Sequence, residues 1–99
     1  MDKHNVVEKK LVIKNKSGLH ARPAALFVQV ANKFESDITV IKGKEKANGK
    51  SIMGILMLAA GRNTPVTLVA DGPDAEDAVK ELSRILLEET DYGFGGKAR

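Results

Sequence analysis

The chain has 99 residues, of which 42% are hydrophobic and 29% charged, as expected for one small globular domain with a single core. It contains no cysteine, which excludes disulfide frameworks, thiolate metal sites and cysteine nucleophiles. Two histidines without a clear set of further ligands predict no metal site, and we expect no cofactor.

Targeting and membrane segments are also not expected. Residues Met1 to Asn5 lack the apolar run of a signal peptide. The longest apolar stretch, Ile52 to Ala60, is interrupted by Gly54 and is too short to cross a bilayer. The sequence therefore predicts a cytoplasmic protein without membrane insertion.

Charge is distributed unevenly along the chain. Residues 1–50 carry 11 Lys and Arg against 5 Asp and Glu, a balance of 11 − 5 = +6, whereas residues 51–99 carry 5 against 8, or −3. Such an excess can indicate an anionic partner, but scattered lysines also keep exposed strands soluble. With only 1 Tyr and 3 Phe, a base-stacking surface is not expected, so we predict no nucleic-acid partner.

Hydrophobic periodicity and turn residues predict seven elements in the order β-α-β-β-α-β-α. In chain order they are a strand at 7–14, a helix from near His20 to about Asn32, strands at 37–42 and 44–47, a short helix after Ser51, a strand at 65–70, and a helix opened by Asp71-Gly72-Pro73 that ends near Glu89.

This element order favours the α+β class. Antiparallel strands covered by helices on one side bury the apolar face of the sheet. We therefore expect an open-faced two-layer sandwich, with a four-stranded antiparallel sheet and three helices on one face. Residues 1–89 would form this domain, and the glycine-rich segment 90–99, which has no periodicity, is predicted to be a flexible C-terminal tail.

The segment from Gly18 to Ala25 places an imidazole and a guanidinium two residues apart, in His20 and Arg22, where a helix is predicted to start. Pro23 suits the first turn of that helix. Free backbone N–H groups, the positive end of the helix dipole and Arg22 would favour a phosphate beside His20, a side chain that can carry one covalently. Histidine at such a position is also often a cap or a surface residue, and a lone arginine is often a solvated charge.

Ser51 has two interpretations. Its hydroxyl can cap the helix that follows, or it can be phosphorylated, which would add about −1.5 to −2 charges at a helix N-terminus. Nearly every position after it is apolar, and we expect Ile55, Leu58 and Ala59 to face the core. The remaining apolar side chains would then form a partly exposed docking patch, unless they also fill the core: Ile52, Met53, Leu56 and Met57.

Taken together, three segments of the chain resemble the histidine-containing phosphocarrier (HPr) family of the bacterial sugar phosphotransferase system: Gly18–Ala24, Lys50–Gly54 and Asp71–Ala75. The resemblance runs from about residue 7 to residue 89. It implies that His20 accepts a phosphoryl group from phospho-enzyme I and passes it to sugar-specific A components, with Arg22 stabilising the phosphate. The protein would then be a phosphoryl carrier, not itself an enzyme.

The resemblance also implies regulation at Ser51, through an ATP-dependent HPr kinase/phosphorylase and a catabolite-control transcription factor. Partner contacts would involve Ala21, Ala25, Ile52, Met53, Leu56 and Met57. A regulatory paralogue in the family lacks the active histidine, so His20 favours carriage over a purely regulatory binding module. We expect a monomer.

Overall fold

The computed structural model describes residues 5–16, 18–19 and 21–88. Within this part of the chain the elements are, in order, β1 (Val6–Val12), α1 (Ala21–Ala31), β2 (Asp37–Lys42), β3 (Glu45–Asn48), α2 (Ile52–Met57), β4 (Pro65–Asp71) and α3 (Ala75–Leu87). The predicted order is confirmed. The predicted tail at 90–99 lies outside the described residues, as does Glu89, where the last helix was expected to end; α3 ends two residues earlier.

The four strands form one antiparallel sheet in the order β1-β4-β2-β3. Residues directly opposite each other share a face, so Val40, Leu68 and Ala47 lie in one row across the centre of the sheet. All three are buried. On this face α3 packs against β1 and β4, while α2 packs against β3 and α1. The predicted open-faced sandwich with three helices is therefore confirmed.

Alternation along β4 shows why one face is covered and the other is not. Val66, Leu68 and Ala70 are buried, whereas Thr67 and Val69 between them are only half-buried. Strand side chains point alternately to the two faces, so this pattern directs one apolar row at the helices. The opposite face carries Thr67 and its cross-strand neighbours without a covering helix in the described part of the chain.

Asp74 joins the start of α3 to the residues that precede β2. It occupies the N-cap position of α3, yet its side chain makes no cap hydrogen bond. Instead Oδ1 accepts hydrogen bonds from the Ser36 hydroxyl at 2.6 Å and the Ser36 N–H at 3.0 Å, and Oδ2 accepts one from the Glu35 N–H at 2.9 Å. These donors, the Ser36 hydroxyl foremost, lower the pKa of the Asp74 carboxyl below its ordinary value.

We expect Asp74→Asn to destabilise the protein at neutral pH. The donors of Ser36 and Glu35 bond to both carboxylate oxygens, whereas an amide has only one oxygen that can accept. A carboxyl whose pKa is lower in the folded state contributes stability above its unfolded pKa and loses it as the pH falls through the folded value. The variant should therefore melt about 4 °C lower at pH 7. That difference should shrink as the pH falls below about 4.

Thermal unfolding followed by circular dichroism from pH 7 to pH 2.5 measures both effects. Asp77→Asn is the matched control, since Asp77 is exposed in the first turn of the same helix. A destabilisation of Asp74→Asn that is equally large at both ends of the pH range would contradict the assigned role of the ionised carboxylate.

Candidate functional site

The segment that leads into α1 is held against the loop after α2. The Leu19 N–H donates to the Ala60 carbonyl at 2.8 Å, and the Gly18 N–H donates to the Asn15 carbonyl at 3.1 Å. Gly18 has φ +78°, and a Cβ placed there would lie 2.6 Å from the Gly61 Cα. Only glycine fits this close approach without strain. The backbone at Gly18 and Leu19 is therefore fixed by contacts on two sides.

His20 lies outside the described residues, as does the side chain of Ala21. The structure does describe the flanking chain: Leu19 is buried, and α1 begins at residue 21. Arg22 is exposed in the first helical turn, and Pro23 lies in the same turn, as predicted, with its side chain buried. No acidic side chain occupies this turn. Its positive end is thus suited to an anion.

Asn15, which lies between the first predicted strand and the first predicted helix, is part of the site's framework. Its side chain is fully buried, and Nδ2 donates to the carbonyls of Ile85 at 2.9 Å and Glu88 at 3.1 Å. These carbonyls belong to the C-terminal end of α3, where intrahelical donors run out. Asn15 therefore ties the end of α3 to the loop before α1. Its partners lie 70 or more residues away, so no local pattern could have indicated them.

Ser51 caps α2 as predicted. Its Oγ accepts a hydrogen bond from the Gly54 N–H at 3.0 Å, with extended backbone at Ser51 itself. The side chain is half-buried. A phosphoryl group on this oxygen would stand at the N-terminus of α2, where the free N–H groups tolerate negative charge.

The exposed apolar surface of α2, here called the α2 patch, consists of Ile52, Met53, Leu56 and Met57. Their side chains are between 37% and 74% exposed, so they do not fill the core. Ile55 and Leu58 are buried, as predicted. Ala59 was predicted to face the core, and this is wrong. The helix ends at Met57, and Ala59 follows in a left-handed conformation with φ 50° that turns its side chain into solvent.

Two hydrogen bonds show that α1 and α2 run in opposite directions. At one end, Leu19 just before α1 bonds to Ala60 just after α2; at the other, the Asn32 side chain just after α1 donates to the Lys50 carbonyl at 3.1 Å, just before α2. The start of α1 therefore lies beside the end of α2, and Ser51 lies at the far end. Ala25, also predicted to contact partners, is exposed on α1.

Residues 5–16, 18–19 and 21–88 contain neither a group of metal ligands nor a membrane-spanning helix. No three His, Cys, Asp or Glu side chains in these ranges are grouped so that they could hold a metal ion. No helix in the same ranges combines the length and apolar character needed to cross a membrane.

Residues 7–88 match the family model PTS-HPr, described as the PTS HPr component phosphorylation site. The HPr-like protein Crh of Bacillus subtilis is 48% identical over 84 residues, which cover 85% of this chain and 99% of Crh.

Two solved structures show the same fold. A phosphocarrier protein HPr from Bacillus anthracis is 46% identical with a TM-score of 0.80, covering 82% of this chain and 96% of that one. A crystal structure of Bacillus subtilis Crh, described as a dimer with a swapped domain, is 48% identical with a TM-score of 0.68, covering 85% and 97%.

Proposed function

Because the chain belongs to the HPr family of phosphocarrier proteins, we propose that it accepts a phosphoryl group on His20 from phospho-enzyme I. It then passes the group to sugar-specific A components of the phosphotransferase system. The observation that carries this proposal is the match of the phosphorylation-site model to a chain whose histidine directly precedes a firmly anchored helix N-terminus.

The proposed transfer uses a neutral imidazole nitrogen of His20 as the nucleophile. This nitrogen forms a bond to phosphorus while the bond between phosphorus and the donor breaks. The electron pair of the broken bond remains on the donor. Arg22 and the first-turn N–H groups of α1 stabilise the dianion. A charge-assisted hydrogen bond contributes about 1.5–3 kcal/mol, which is enough to orient the phosphoryl group without trapping it. Positioning supplies most of the remaining rate enhancement.

Incubation of the unaltered chain with phosphoenolpyruvate and enzyme I tests the proposal. Mass spectrometry at neutral to alkaline pH, where phosphohistidine survives, should show one added phosphoryl group that acid treatment removes. Addition of a sugar-specific A component should then discharge it. A chain that gains no mass, or whose phosphate survives acid, would overturn the proposal.

We propose further that phosphorylation of Ser51 by an HPr kinase/phosphorylase regulates this carrier. Ser51 and the start of α1 lie at opposite ends of α2, so the two phosphorylated positions would flank the α2 patch. The effect of Ser51 phosphorylation would therefore arise at the docking surface, where a fixed anion repels an acidic partner face.

A Ser51→Asp variant is expected to bind enzyme I about tenfold more weakly than the unaltered chain. Aspartate is a good N-cap, so the fold should remain intact while the added charge opposes docking. Isothermal titration calorimetry gives the affinity, and Ser51→Asn is the matched control because it keeps the cap and the size without the charge. Equal affinities of the aspartate and asparagine variants would contradict the electrostatic mechanism.

A regulatory function is the second candidate, and the similarity to the HPr-like protein Crh favours it. In this alternative the Ser51-phosphorylated form docks onto a catabolite-control transcription factor, and His20 has no role. The presence of His20 supports carriage as the principal function. Binding of the phosphoserine form to the factor by a chain that enzyme I fails to phosphorylate would support the alternative. We propose a cytoplasmic monomer in either case.

A further inference from the structure

The helix that carries the α2 patch has few means of holding its own position. It spans only six residues, and helices of that length are not stable by themselves in water. Within and just after the helix, Ile55 and Leu58 are buried, while the side chains around them face solvent. Polar contacts at its two ends must therefore contribute to its placement.

The N-terminal end of α2 has several such contacts. Besides the Ser51 cap, the Ser51 N–H donates to the Asn48 carbonyl at 3.1 Å. The preceding residue, Lys50, donates from Nζ to the Phe34 carbonyl at 2.7 Å and accepts from the Asn32 side chain. This end is thus attached both to β3 and to the residues after α1.

The C-terminal end is held by a side chain from another element. Lys42, the last residue of β2, donates from Nζ to the Leu58 carbonyl at 2.7 Å and approaches the Ala59 carbonyl at 3.5 Å. Leu58 is the C-cap residue, and its carbonyl has no intrahelical donor to accept from. A cation at this position also interacts favourably with the negative end of the helix.

We propose that Lys42 is a positioning residue for partner docking: its ammonium holds the C-terminal end of α2 and so places the α2 patch. This inference rests on the proposed carrier function. Leu56 and Met57 lie in the turn directly before the bonded carbonyl. That turn is also the end of α2 nearest the start of α1, where partner and phosphoryl group must meet.

A Lys42→Met variant tests the proposal, because methionine keeps most of the stem and removes the ammonium. With enzyme I as the phosphoryl donor, we expect the KM for the carrier to rise about fivefold while kcat stays unchanged, since only docking is impaired. Lys42→Arg should restore most of the loss by returning a cation to the same carbonyls.

Lys46→Met is the matched control. Lys46 lies in the same hairpin and loses the same charge, but it pairs with Ile41 on the open face of the sheet. Its ammonium bonds to no group in the part of the chain that the structure describes. We expect its KM to stay close to that of the unaltered chain. Equal increases in the two methionine variants would show a general charge effect and overturn the proposal.

Hydrogen exchange provides a readout that does not depend on enzyme I. The amides of Leu58 and Ala59, which bond to Ile55 and Leu56, should exchange about tenfold faster in Lys42→Met, with β4 amides unchanged. Unchanged exchange at these two amides, or a parallel increase throughout β4, would overturn the anchoring role. If the unaltered chain takes no phosphate, the proposed function fails, and the exchange rates still decide whether Lys42 anchors α2.

Discussion

A chain carrying His20→Ala is expected to take up no phosphoryl group from phospho-enzyme I, with transfer reduced by at least about 10³-fold. Alanine offers no nitrogen to attack phosphorus, and the contacts proposed for Arg22 and the helix N–H groups would hold an anion without forming the covalent intermediate. The neighbouring contacts of Gly18 and Leu19 are made by the backbone, so they do not depend on the imidazole. The unfolding midpoint should therefore change by no more than about 2 °C.

His4→Ala is the matched control, because His4 and His20 are the two histidines of the chain. It should be phosphorylated at the same rate as the unaltered protein. Incorporation of acid-labile phosphate, followed by quantitative mass spectrometry, distinguishes the two variants. Acid-labile phosphate on the His20→Ala variant would show that another residue carries the group, whatever the result for His4→Ala.

Replacement of Gly18 by alanine is expected to cost about 2–4 kcal/mol of the free energy of unfolding. Two effects add at this residue. A left-handed φ of +78° is unfavourable for an L-residue, and the new methyl group would lie 2.6 Å from the Gly61 Cα and 2.8 Å from the Ala60 oxygen. Relief of that overlap must move the segment two residues before His20, so phosphoryl transfer should also slow.

Gly43→Ala separates these two effects. Gly43 has φ +60° in the hairpin turn, but a Cβ there would meet nothing within 4 Å. The Gly43→Ala substitution should lower the free energy of unfolding only through the unfavourable backbone conformation, by about 1 kcal/mol. Denaturant unfolding gives both values, and transfer rates should fall for the Gly18 variant alone. Equal losses of stability would contradict the close packing of the loop before α1.

Most of the fold followed from local patterns. The alternation in β2 predicted its bounds, 37–42, without error, and every other strand boundary lies within two residues of its prediction. The differences of two residues lie at the ends of β1 and α3. β1 stops at Val12, although Ile13 continues the inward row and bonds to Thr64, and α3 ends where Asn15 takes up its last carbonyls.

The candidate site was predictable only in part. The Ser51 cap depends on two residues that are three positions apart, and the placement of Pro23 depends on a single helical turn. Both could therefore be derived from neighbouring positions. The contacts of Asn15 and Lys42 could not be derived in this way. Each reaches a helix end that is distant in the sequence, whereas the sequence placed Asn15 only between two elements and Lys42 only in a strand.

The amino-acid sequence by itself determined the element order, the single apolar face of the sheet, and the candidate pair His20 and Arg22. These features depend on spacings of two to four residues, where backbone geometry dictates which side chains share a face. Only the tertiary structure decided which helix ends are held by other elements, and that α1 and α2 run in opposite directions with Ser51 at the far end of the patch. The carbonyls at helix ends have no intrahelical donor, so they accept hydrogen bonds from residues that only the folded chain brings close.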